Sequence, residues 1–173
     1  HRGGCGGDAD SGDGAGILTA IPWSLLEAVW PAAAASADAM RGLAMVFLPR
    51  DQAMRDEARS LCEEQAASLG LRSLGWRTVP TDPQVLGPLA RRTVPAIEQW
   101  LLAPGDTACH AVDDLEALLF RLRRRAVDRA REAWGPEATD LYFASISART
   151  VVYKGMVRSE VLAPFYGDLS DER

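Results

Sequence analysis

The sequence predicts an α+β fold, and three observations lead there. Residues 17–21 and 42–48 (ILTAI and GLAMVFL) are short, continuous apolar runs of strand length. Residues 51–69 and 113–134 instead repeat apolar side chains every three to four positions, as amphipathic helices do. The two kinds of segment are mixed without the regular alternation of a parallel βαβ sheet.

Residues 17–22 read as a buried strand ended by Pro22. Residues 23–30 make two helical turns with Leu25, Leu26 and Val29 on one side, stopped at Pro31. The alanine-rich stretch 32–41 is a flexible or weakly helical connector. Residues 42–48 read as a strand buried on both faces. Pro49, Arg50 and Asp51 then open a helix whose inner positions are Met54, Ala58, Leu61, Cys62, Ala66 and Leu69, closed by Gly70. Cys62 lies on that stripe and is expected to be a core thiol. Residues 74–79 read as another strand. The proline-rich stretch 80–104 reads as an extended excursion with a short strand near 97–102. A second long helix, about 113–134, places Leu115, Leu118, Leu119, Leu122, Ala126, Ala130 and Ala133 inside. Asp113 and Asp114 suit its positive N-terminal end, and Gly135-Pro136 ends it. Residues 140–147 and 150–153 alternate as a hairpin turning over Ala148 and Arg149. A short helix within 159–169 and a charged end complete the chain.

With 173 residues, 47% of them hydrophobic and 25% charged, the composition is that of a single globular domain. No apolar run reaches membrane-spanning length and no secretory leader is visible, so no membrane partner is expected. A net charge of −5 argues against nucleic acid, because phosphate binding needs basic surface. The basic run Arg121, Arg123, Arg124 and Arg125 reads as the solvated face of a helix. Cys5, Cys62 and Cys109 form no paired pattern, which suits a reducing, cytoplasmic compartment. Lys154 is the only lysine.

The head, HRGGCGGDADSGDGAG, carries seven glycines and three acids ahead of the first strand. A phosphate loop of the Walker type fails, because Gly12 is followed by Asp13 where lysine is required. A calcium loop that begins at Asp8 puts glycine, aspartate and threonine where a ligand, glycine and glutamate belong. A dinucleotide fingerprint needs its strand before the glycines, and here the strand follows. A metal site on Asp8, Asp10 and Asp13 is a weaker alternative. His1 and His110 have no partner at metal-ligand spacing, so no metal is expected. Spacing alone supports a tight glycine loop leading into a buried strand.

The head HRGGCGGDADSGDGAGILTAIP resembles the glutaminase region of glutamate synthase large chains. So do GLAMVFLPRD, LGWRTVPTD, VPAIEQWLL, SISARTVVYKGMV and APFYGDLSDE, in the same order. The resemblance covers essentially the whole chain. It implies a class II glutamine amidotransferase with an N-terminal-nucleophile hydrolase fold, a four-layer αββα sandwich, of which residues 1–173 are the central, incomplete portion. In that class an N-terminal cysteine attacks the side-chain amide of glutamine; its own α-amine, which titrates at about 7.7–8.0, serves as base. Here the nucleophile is expected upstream of His1, and no catalytic residue lies within the chain. Arg2 matches the arginine that supports the nucleophile, while Gly3, Asp13 and Gly14 are expected to shape the loop. The family's glutamine-binding segment has no match. The fragment alone is therefore expected to be inactive, and to associate through unpaired sheet edges. For the parent the resemblance implies FMN, an iron–sulfur cluster, a reductase subunit or ferredoxin, and ammonia used for reductive amination of 2-oxoglutarate. No cofactor is expected in residues 1–173. The alternative is a catalytically dead binding or scaffold module of the same fold.

Overall fold

The computed structural model describes residues 14–105, 109, 111–135 and 140–171. The chain runs β1 (Ala15–Ala20), α1 (Trp23–Val29), α2 (Pro31–Ala35), β2 (Gly42–Leu48), α3 (Gln52–Ser68) and β3 (Leu71–Thr78). It continues through α4 (Pro88–Thr93), β4 (Ala96–Pro104), α5 (Val112–Trp134), β5 (Tyr142–Ser147), β6 (Thr150–Gly155) and α6 (Ser159–Phe165). Single 3₁₀ turns stand at Pro83–Val85 and Gly167–Ser170.

A four-stranded antiparallel sheet of order β3-β4-β2-β5 carries the fold, and a second sheet pairs β1 with β6. The two faces of the larger sheet are covered differently. Ala44, Val46, Leu48, Trp100, Leu102 and Phe143 face α3 and α5. Leu43, Met45, Ile97 and Leu101 face β6, α1 and α6. Helices, sheet and second sheet are thus stacked in layers, and the mixed content is the expected α+β class.

α3 and α5 form for the reasons legible in sequence. Asp51 caps α3 by accepting the Met54 N–H at 3.0 Å, and Gly70 turns the chain with φ +73°. The Asp114 carboxylate accepts the Ala111 N–H at 3.0 Å at the start of α5. Both helices bury the predicted stripes, except that Met54 and Ala133 are exposed; Val29 of α1 is exposed too. Arg121, Arg123, Arg124 and Arg125 point to solvent. Within the connector, Pro31–Ala35 is a helical turn with proline at its first position.

The strands depart from expectation in three places. β4 is no short strand at the edge of an excursion: it spans nine residues and pairs with both β2 and β3. β3 begins at Leu71, three residues early, because the break at Gly75 is a bulge inside the strand. Residues 142–153 do not form a hairpin either. β5 pairs with β2, whereas β6 pairs with β1, so the chain crosses from one sheet to the other at Ala148-Arg149. Tight two-residue hairpin turns need a positive φ, and among the described residues none other than glycine has one. Ser147 makes the crossing instead. Its hydroxyl donates to Glu116 of α5 at 2.7 Å and accepts the N–H groups of Arg149 and Thr150 at 2.9 and 3.2 Å. The Arg149 carbonyl then receives the Ile21 N–H at 3.0 Å, which seats the corner against the end of β1.

Candidate functional site

Most of the glycine head, with Arg2, Gly3, Cys5 and Asp13, lies outside the described residues, as do His1 and His110. The structure does place the point where the head enters the fold. Gly14 has φ +120°, a conformation that favours glycine, and β1 follows directly. β1 lies antiparallel to β6, with Ala15 opposite Gly155, Ile17 opposite Tyr153 and Thr19 opposite Val151. Gly16 packs tightly there: a side-chain carbon in its place would sit 3.3 Å from the Tyr153 carbonyl. The entry is thus registered by β6, a strand about 130 residues later in the chain.

β6 is in turn held from behind by a buried polar network. Asp168 accepts two hydrogen bonds from Arg77 of β3, at 2.7 and 2.9 Å, and one from the Tyr153 hydroxyl at 3.1 Å. Gln99 of β4 donates to the Tyr153 oxygen at 3.2 Å and accepts from Arg77 at 2.6 Å. Burial, then the Asp168 charge, pushes the Tyr153 hydroxyl well above its usual range, so it stays a neutral donor. The neighbouring Tyr166 hydroxyl, also raised by burial, donates to the Lys154 carbonyl at 2.7 Å. Every member has a partner, so the network locks β6 in place and offers no free base. On the opposite face of β4, buried Glu98 pairs with Arg59 of α3 at 2.8 Å. The dipeptide Glu98-Gln99 inside the apolar run of β4 is the one sequence signal of these contacts.

In front of β6 is an open groove of about 560 Å³, lined by Gly14, Leu18, Phe47, Val152, Lys154 and Met156 among others. Lys154 donates to the Tyr142 hydroxyl of β5 at 2.9 Å and lies 5.0 Å from the centre of that ring. Sequence reading does not single out this pair, because its members sit on strands that the alternation pattern assigns to one hairpin.

The two described cysteines are free thiols and poor nucleophiles. Cys62, on the inner face of α3, is fully buried, and burial pushes its thiol up to about 12. The Cys109 thiol is raised as well, first by burial and then by Asp114. Among the described residues no cluster of three His, Cys, Asp or Glu side chains could hold a metal ion. No helix among them is long and apolar enough to cross a membrane.

Comparison with known proteins places this geometry. Residues 1–173 match the family described as glutamine amidotransferases class-II. A chloroplastic ferredoxin-dependent glutamate synthase of Oryza sativa subsp. japonica is 44% identical over 99% of this chain and 10% of its own length. Ferredoxin-dependent glutamate synthase 2 of Synechocystis sp. is 45% identical over 99% of this chain and 10% of its own. The glutamate synthase (NADPH) large chain of Bacillus subtilis is 35% identical over 99% of this chain and 11% of its own. The chain thus spans about a tenth of the length of the curated relatives it matches. The full-length family match, the relatives' identity and the layered α+β structure together show that the chain belongs to the class II glutamine amidotransferases, which have the N-terminal-nucleophile hydrolase fold.

Proposed function

We propose that this chain is the central portion of the glutaminase domain of a glutamate synthase. The end-to-end match of residues 1–173 to relatives of that name carries the reading. In the proposed reaction a cysteine sulfur bonds to the side-chain amide carbon of glutamine. The thiol proton passes to the cysteine's own α-amine, which returns it to the leaving nitrogen as the C–N bond breaks and ammonia departs. Water then cleaves the thioester to give glutamate. In this reading the thiol is the N-terminal cysteine of the class: Cys5 is internal and has no free α-amine, the Cys62 thiol is buried and pushed up to about 12, and burial raises the Cys109 thiol. Residues 1–173 alone therefore supply scaffold and no chemistry. In this reading Arg2 orders the nucleophile, and Gly3, Asp13 and Gly14 shape the loop around it; the positive φ of Gly14 supports its share.

The parent's further chemistry, reductive amination of 2-oxoglutarate by the released ammonia, would need FMN and an iron–sulfur cluster. The described residues do not fit the cluster: they include two cysteines, one of them fully buried, and no three His, Cys, Asp or Glu side chains gather where they could hold a metal ion. We assign both groups to other domains of the parent. Ferredoxin is the favoured electron donor over a reductase subunit, because the ferredoxin-dependent relatives named above share 44–45% identity against 35% for the NADPH one. Two free thiols support a reducing, cytoplasmic setting.

Arg2→Ala in the full polypeptide tests the assignment. The substitution is expected to lower kcat for glutamine hydrolysis by about 10²-fold, as displacement of a reacting group does, with KM little changed. Unchanged kcat would remove Arg2 from the site.

A further inference from the structure

The groove in front of β6 has chemistry that the network behind the strand does not use. The Lys154 ammonium has three donors, and the Tyr142 oxygen takes one. Having accepted, the Tyr142 hydroxyl still has its own proton to donate. Among the described residues no carboxylate pairs with Lys154. The ammonium keeps two donors and the neighbouring phenol one, a set that a carboxylate can accept.

An apolar cavity of about 190 Å³ adjoins this spot and shares Phe47, Lys154 and Met156 with the groove; Ile97 and Phe165 are among its other walls. The groove's own lining carries apolar exposure: Leu18 is 66% exposed and Met156 69%. The partner that fits has an acidic side chain beside a large apolar one.

We propose that this groove docks such a segment from the same polypeptide, outside residues 1–173, with its carboxylate on Lys154 and its apolar side chain in the cavity. The proposal rests on the reading of this chain as part of a longer protein. Two observations select that occupant. The relatives are about ten times as long as the matched region, so in this reading a tethered segment is present at high effective concentration. The net charge of −5 repels a free acidic partner, an obstacle that tethering overcomes.

Because Lys154 is the only lysine in these residues, one experiment isolates it. A carbodiimide joins an amine to a carboxylate it already touches, with no spacer. Applied to the full polypeptide and read by peptide mass spectrometry, it is expected to link Lys154 to an Asp or Glu outside residues 1–173. A mixture of light and heavy isotope-labelled protein should show that link within one molecule. Lys154→Arg keeps the charge but removes the amine and should abolish the link. Ala90→Phe, which fills the cavity, should lower its yield about tenfold with Lys154 intact. A link only to Asp8, Asp10, Asp13 or another carboxylate within residues 1–173 would overturn the proposal. A link between molecules, or no link, would do the same. If the full polypeptide releases ammonia from glutamine without this link, the docking fails and the glutaminase reading stands. If the link forms and no glutamine is hydrolysed, the docking stands and the glutaminase reading fails.

Discussion

At Cys62 the thiol is enclosed by α3 and the larger sheet, and that burial decides its chemistry. Its value of about 12 lies above the 9.0 of an exposed thiol, so the fold keeps the proton. The contribution to stability is complete below about pH 9 and is lost as pH rises toward 12. Folded protein at pH 8 should leave Cys62 unalkylated by iodoacetamide while denatured protein is modified at once; rapid labelling of the folded form would contradict the burial. Asp168 is the second residue whose surroundings fix its role. Its side chain is 2% exposed and Arg77 is 12% exposed, so removing the carboxylate strands a buried guanidinium. Asp168→Ala should lower the opening free energy, read by hydrogen exchange at the Gln99 and Tyr153 amides, by about 3–5 kcal/mol. An unchanged exchange rate would show that the network carries no weight. Sequence alone does not reveal the network, because Arg77, Gln99, Tyr153 and Asp168 come from four separate elements. Residue types do not say which polar groups meet across two sheets.

Among the elements, β2, α3 and α5 are legible in sequence because each is a long pattern with a local stop or start: a continuous apolar run, or a helical stripe closed by Asp51, Gly70 or Gly135. β3 and β4 are less so. The bulge at Gly75 interrupts the alternation of β3, and two polar residues interrupt the apolar run of β4, although both are buried. Gly75 has φ +139° where Ser73 and Gly75 flank an extra residue opposite β4. The nearest atoms to a side-chain carbon there are 3.9 Å away, so space is ample and backbone strain sets the cost. Gly75→Ala should therefore destabilise β3 by about 1–3 kcal/mol, measured by hydrogen exchange along that strand. A neutral substitution would mean that the bulge relaxes freely. The β5–β6 crossing resembles a hairpin in sequence for a different reason. Alternation reports that a strand has one buried face but not which sheet buries it, and β5 and β6 bury theirs in different cores.

Across the whole molecule, the layers bring the first described strand and one of the last into register, and the glycine head enters at their seam. The family is legible through an ordered set of short segments spread along the chain, a pattern that the physics of single elements does not supply. The head's own candidates, Arg2, Gly3 and Asp13, rest on that resemblance, whereas the Lys154–Tyr142 groove emerges only from the three-dimensional arrangement. The proposed function is glutamine hydrolysis, and ammonia release measures it directly. The full polypeptide containing these residues should release ammonia from glutamine, and residues 1–173 alone should release none. Ammonia from the isolated 173 residues, or none from the full polypeptide, would contradict the account.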